Sequence, residues 1–303
     1  MIRHVASQTL ADYVGHYALT HPLDRESLRQ YEIVVRLLDR WAGHPVRLDE
    51  LDTQLVSSWL AEYGQTVKPS TARSKRQMVL SLWRSAVDDG LVDPVSLMRR
   101  VRRVRVPHQA PVAWTRDEIE RLLVACRSLP RWHRCGLRRS EWWALAIRVA
   151  YDSGLRWEDQ VRRLRVDQVT EDGVVAWDQH KTGRFTVFQL SEATMTALRA
   201  SLVRRPRELV TPWLGSHETF SDQVRTLVRR AGVRPGTWKW VRRTSATDVE
   251  IQEPGAAPRH LGHAPGSKVA YASYVDPAQV AAARRGVSPR PLSVPPGDRQ
   301  AAG

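Results

Sequence analysis

The stretch Gly173–Ser191, "GVVAWDQHKTGRFTVFQLS", decides the fold class, because its apolar residues alternate as a strand pair does. Two short blocks rich in Val, Trp, Phe and Thr flank His180–Arg184, and Gly183 supplies the turn. This predicts an antiparallel hairpin. Outward in both directions the pattern is helical. Segments at about 140–153 and 157–164 precede the hairpin, and others near 191–204, 217–231, 237–250 and 267–285 follow it. The expected class is therefore α+β: mainly helical with one small antiparallel sheet.

Upstream lies a separate helical region. In Asp24–Gly43, "DRESLRQYEIVVRLLDRWAG", residues Leu28, Tyr31, Val34, Val35, Leu38 and Trp41 share one face, with Asp24 as N-cap and Gly43 as stop. "DELDTQLVSSWLAEYG" forms a shorter amphipathic helix. "KPSTARSKRQMVLSLWRSAVDDG" then opens with hydroxyls and cations, Thr71, Arg73, Lys75 and Arg76, which suit phosphate contacts or simply a solvated face. The Pro-punctuated run "MRRVRRVRVPHQAPVAW" reads as a basic linker whose Arg103 and Arg105 can lie along DNA. A new domain starts at Thr115, which forms a capping box with Glu118. The expected organisation is a helical domain over 1–105, a linker over 106–114, a second domain over 115–285 and a disordered tail over 286–303. That tail is rich in Pro, Gly and Arg.

Composition narrows the function. Lys plus Arg number 47 against 32 acids, a net charge of +15, which favours a polyanionic partner such as nucleic acid. Of the cations 42 are Arg and five are Lys, so a single Arg carries little information and each Lys carries more. Two cysteines and scattered histidines give neither a disulfide framework nor a metal site. No apolar run is long enough for a bilayer, and no leader pattern opens the chain, so a cytoplasmic protein is expected.

Four segments of the second domain, in order, resemble the tyrosine recombinases, the phage integrase family. "YDSGLRWEDQVRRL" is similar to that family's first arginine box and places Arg156 and Asp159. "HKTGR" is similar to its β-turn lysine and places Lys181. "KWVRRTSAT" resembles the second arginine box and places Arg242, and "LGH" places His263. Each alone is weak: Arg156 could serve Asp159, Lys181 could be a solvated turn residue, and His263 a helix-terminus histidine. Together they are specific. The helix and turn of "STARSKRQMVLSLWRSAVDDGLVDP" resembles the family's core-binding domain, so the likeness spans roughly residues 7 to 285.

The resemblance implies a core-binding domain and a catalytic domain of the DNA breaking-rejoining enzyme fold, forming a C-shaped clamp. It implies a site-specific recombinase that cuts DNA through a 3′-phosphotyrosine, with no metal or cofactor. Its partners would be a specific double-stranded site, three further copies in a synaptic tetramer, and possible accessory DNA-binding proteins in the nucleoid. With the core-binding domain starting near Met1, no arm-type domain is expected. Arg156 and Arg242 would hold the phosphate, Lys181 would protonate the leaving oxygen, and His263 would donate to phosphate or position the tyrosine. Asp159 would be structural, holding an arginine.

Two departures stand out. Lys239 begins the second arginine box where the family usually has His; lysine can still donate to phosphate. The interval from Arg242 to His263 is short, with Pro and Gly in "IQEPGAAPRH". Of the two tyrosines that follow, Tyr274 restores the usual total spacing from Arg242 and is the expected nucleophile, with Tyr271 in support. The competing expectations are a catalytically impaired DNA-binding relative and a topoisomerase of type IB.

Overall fold

A computed structural model describes residues 8–92, 100–180, 182–264 and 266–284. The expected tail and Lys181 lie outside the described residues. The chain divides into two compact units, Met1–His108 and Gln109–Gly303. Among the described residues no helix is long and apolar enough to cross a membrane.

The first unit packs α1 (Leu10–Thr20), α2 (Arg25–Ala42), α3 (Thr53–Thr66) and α4 (Pro69–Asp88). The face expected on α2 is the one that packs: Val34, Val35 and Leu38 are buried, and Leu28, Tyr31 and Trp41 close over them. Asp24 accepts from the Ser27 N–H at 2.6 Å, and Gly43 ends the helix in the left-handed region. Trp59 from α3 and Trp83 from α4 fill the middle.

The second unit comprises α5 (Arg116–Cys126), α6 (Arg139–Ser153), α7 (Trp157–Arg162), β1 (Val174–Asp178), β2 (Phe185–Gln189), α8 (Glu192–Arg204), α9 (His217–Ala231), α10 (Lys239–Gln252), α11 (Ala257–His260), α12 (Val269–Ser273) and α13 (Pro277–Ala283). The strands pair antiparallel with Ala176 opposite Val187. Their buried face, Val175, Trp177 and Phe188, packs on Leu145 and Val149 of α6 and Leu198 of α8. An aromatic core of Trp142, Trp143, Trp213 and Phe220, with Trp238 beside it, holds α6, α9 and the start of α10 in offset and edge-on contacts. The Thr115–Glu118 capping box opens α5 as expected.

Two elements differ from expectation. The helix expected near 267–285 is two short helices, interrupted at Tyr274–Asp276. Asp276 caps α13 through the Ala278 and Gln279 N–H groups, and Pro277 starts it. The stretch "IQEPGAAPRH" closes α10 at Gln252, turns at Gly255 (φ +91°) and folds into α11.

Candidate active site

Arg156 follows directly on the turn that ends α6. Gly154 adopts φ +59°, and a Cβ there would meet His260 Nε2 at 2.8 Å, so glycine is required for both conformation and space. From this position Arg156 Nη1 donates to Gln179 Oε1 at 2.8 Å and lies 3.8 Å from Asp159 Oδ2. Asp159 is buried, and burial pushes its pKa up. Arg156, Arg242 and the His180 N–H oppose that rise.

Arg242 sits in the first turn of α10, where it is almost fully buried. Its guanidinium donates to the Gly154 carbonyl and, at 3.2 Å, to the Leu261 carbonyl, so one side chain ties α10 to the first arginine segment and to the residue before Gly262. Among the described residues its Nε has no hydrogen-bond partner. Burial, opposed by Tyr274 and helped by Arg156, lowers its pKa to about 10, which leaves it charged at neutral pH.

Tyr274 lies in the break between α12 and α13. Its N–H bonds to the Ala270 carbonyl at 2.8 Å. Arg243 Nε holds the preceding carbonyl of Ser273 at 3.1 Å, and the Asp276 N–H donates to Thr247 Oγ1 at 2.9 Å. The phenol is thus strapped to α10 on both sides. The Arg242 guanidinium lies 4.8 Å from the ring centroid, Lys239 Nζ 5.0 Å, and the His263 ring 5.6 Å. Burial alone would raise the Tyr274 pKa, but the charges of Arg242, Lys239 and Arg156 outweigh it and hold the phenol below its ordinary value.

His263 is pulled down to about 4 by burial and by Arg242, Arg156 and Arg184, so its imidazole is neutral at physiological pH. Its Nδ1 is buried with no hydrogen-bond partner among the described residues. Buried polar atoms are nearly always satisfied, and an exception at a candidate site is consistent with a catalytic role. Arg242 Nε and His263 Nδ1 are two such atoms beside one tyrosine.

Of the expected site residues the fold brings together Arg156, Asp159, Lys239, Arg242, His263 and Tyr274. Tyr271 stands apart: it is 42% exposed, and its hydroxyl donates to Glu250 Oε2 at 3.3 Å. Burial and the Glu250 carboxylate raise its pKa, the opposite of Tyr274. In the first unit Arg73, Arg103 and Arg105 are exposed and Thr71 is half-buried. Lys75 turns inward, buried, and donates to Gln30 Oε1 at 2.9 Å. Arg76 donates to the carbonyls of Arg102 (2.8 Å) and Val101 (3.1 Å), fixing the basic stretch before the linker on α4.

Three contacts had no sequence signal strong enough to find them. Gln179 reads as one more polar residue at a strand end. His260 is hidden beside the more obvious His263, yet it bonds Ser245 Oγ at 2.7 Å beneath Arg242. Asp276 lies inside the helical pattern expected over 267–285, which masks the break.

No protein-family model matches the chain. It is 29% identical over 181 residues to the tyrosine recombinase XerD of Caulobacter vibrioides, a match covering 57% of this chain and 55% of that protein. The chain thus spans about half the length of the curated relative it matches. In fold it is similar to lambda integrase solved as a dimer on a COC′ core site, with TM-score 0.67 and 19% identity. That likeness covers 95% of this chain and 81% of the integrase chain. It is also similar to the Tn1549 transposon integrase in complex with circular intermediate DNA, with TM-score 0.66, 13% identity and coverage of 92% and 99%. A third likeness is to XerH recombinase bound to palindromic difH in a post-cleavage complex, with TM-score 0.63, 15% identity and coverage of 85% and 79%.

Proposed function

We propose that the chain is a tyrosine recombinase, a reading that its likeness in sequence and in fold supports, and that it cleaves and rejoins DNA at a specific site through Tyr274. The observation that carries the reading is the Tyr274 phenol, acidified by Arg242, Lys239 and Arg156 and faced by a neutral His263. Phosphodiester cleavage needs a nucleophile, a way to stabilise negative charge on five-coordinate phosphorus, and a proton for the leaving oxygen.

Tyr274 Oη attacks phosphorus, its proton passing to solvent, and the bond to the 5′ oxygen breaks. The products are a 3′-phosphotyrosine and a 5′ hydroxyl, which takes its proton from Lys181. Arg156 and Arg242 donate to the non-bridging oxygens, where a planar, permanently charged fork fits best. Losing one such donor costs about 3 kcal/mol of transition-state stabilisation. Lys239 supplies positive charge where the family usually has an imidazole. His263 donates one hydrogen bond, and Asp159 steadies Arg156. Religation reverses the step on another strand.

The first unit would serve as the core-binding domain over 1–105, touching DNA through Thr71, Arg73, Arg103 and Arg105. Lys75 and Arg76 support that face from within, and 115–285 would be the catalytic domain. Acting as a tetramer on two paired double-stranded sites, with accessory DNA-binding proteins where the site demands them, the enzyme would work in the cytoplasm, in association with the nucleoid.

The test uses a pool of nicked duplexes of randomised sequence, from which covalent protein–DNA adducts are isolated on denaturing gels and sequenced. Wild type and Tyr271→Phe are expected to yield adducts enriched in one sequence, and Tyr274→Phe none. Adducts that persist in Tyr274→Phe, or no adduct from wild type, would overturn the reading.

A further inference from the structure

We propose that Gln179 is a positioning residue for Arg156, a single side chain that couples the first arginine segment, the hairpin turn and the Leu261–His263 segment. The proposal rests on the strand-cleavage reading above. Gln179 is 2% exposed and uses both ends of its amide. Its Oε1 accepts from Arg156 Nη1 at 2.8 Å and from Thr182 Oγ1 at 3.1 Å. Its Nε2 donates to the Leu261 carbonyl at 2.8 Å and to the Gly262 carbonyl at 3.3 Å. Four polar groups from three chain segments therefore meet on one side chain, and the amide orientation follows from them: only oxygen can face Arg156, and only nitrogen can face two carbonyls.

Two neighbouring features are built for this contact. Gly262 adopts φ +63°, and a Cβ there would stand 2.0 Å from Gln179 Nε2, so the amide occupies space that only glycine leaves. The Leu261 carbonyl that receives Nε2 also receives Arg242 Nη2, so Arg156 and Arg242 are registered to one another through a shared acceptor. The His180 N–H, on the next residue along, is one of the groups that oppose the rise of the Asp159 pKa, so both charged residues of the first arginine segment face the base of the hairpin. Asp159 itself lies 3.8 Å from Arg156, outside hydrogen-bonding range, so among the described residues Gln179 is the side chain that holds the guanidinium at bonding distance. A guanidinium that must meet a phosphate in one orientation gains from being held there beforehand.

The decisive variant is Gln179→Met, which keeps the volume and removes all four bonds; Gly262→Ala displaces the amide from the opposite side. The substrate is the nicked duplex recovered from the randomised pool, made either with its natural scissile phosphate or with a methylphosphonate, which lacks the charge that Arg156 neutralises. Both variants are expected to slow adduct formation on the phosphate by roughly 10- to 100-fold with DNA affinity unchanged. On the methylphosphonate the gap from wild type should close, and Gln179→Met should add nothing to Arg156→Ala. Equal rates for Gln179→Met and wild type on the phosphate overturn the proposal. So does equal slowing on both substrates, which marks a merely structural role. A wild type that forms no adduct sinks the strand-cleavage reading, and this proposal with it.

Discussion

Lys239 shows how one residue type changes the electrostatics around Tyr274, the proposed nucleophile. Its ammonium stands 5.0 Å from the Tyr274 ring and is one of three charges that lower the phenol pKa. In the proposed cleavage the phenolate is the reactive form, so the rate should climb with pH until the phenol is ionised, and a lower pKa brings that climb to lower pH. Lys239→Met removes one of the three charges. Single-turnover cleavage across pH should show the ascending limb displaced to higher pH and a lower rate at neutrality. An unchanged profile would detach Lys239 from the tyrosine. An imidazole is largely uncharged above about pH 6.5, so Lys239→His should support the phenolate best on the acidic side of neutrality. In the sequence Lys239 was conspicuous because lysine is rare in this chain. Gln179 was not, because a buried amide bridging three segments is invisible until the segments are folded together.

At the scale of elements, the break between α12 and α13 places the tyrosine. A continuous helix would point the phenol by helical periodicity alone. Here Asp276 ends that periodicity: Oδ1 caps α13, and Oδ2 accepts the buried Ala113 N–H at 3.0 Å. Asp276→Ala should lose about 1 kcal/mol for the cap and about 1–3 kcal/mol for the orphaned Ala113 N–H, read by urea unfolding. Asp276→Asn should recover only the cap, since its amide nitrogen then faces another donor. Adduct formation should fall in the same order, Ala below Asn below wild type. Stability within a few tenths of a kcal/mol of wild type for both would mean the break does not depend on the cap. The helical faces and both strands were legible because each repeats a simple period. The break was not, because Ala and Val continue on either side of it and only the tertiary bonds to Ala113 and Thr247 make the cap decisive. Likewise the cations of α4 read as one polar cluster, whereas the fold turns Lys75 inward onto Gln30 and leaves Arg73 outside.

Across the whole molecule, burying histidines among arginines makes the fold sensitive to acid. His133, His260 and His263 each fall to about 4: burial is the main cause throughout, aided by Arg139 and Arg134 at His133, by Arg242 at His260, and by Arg242, Arg156 and Arg184 at His263. In the unfolded chain the same groups titrate near 6.5. Between those values the unfolded state binds protons that the native state refuses, so stability rises with pH through this window and is lost as pH falls through it. Glu118, held near 2 by Arg234 against its burial, adds a loss at still lower pH. Asp159, raised by burial, works in the opposite sense. Self-repulsion of a chain that already carries +15 also grows on acidification. Salt separates the two causes, because it screens dispersed surface charge but barely touches buried sites. The melting temperature should be nearly flat from pH 8 to 7 and decline steadily from about pH 6.5 towards 4, with the decline surviving at high salt. If high salt abolishes the decline, net repulsion is the cause and the buried imidazoles are not. If it persists, His133→Asn, at a ring that packs on Trp142 and Trp213, should flatten it in part without altering cleavage at neutral pH.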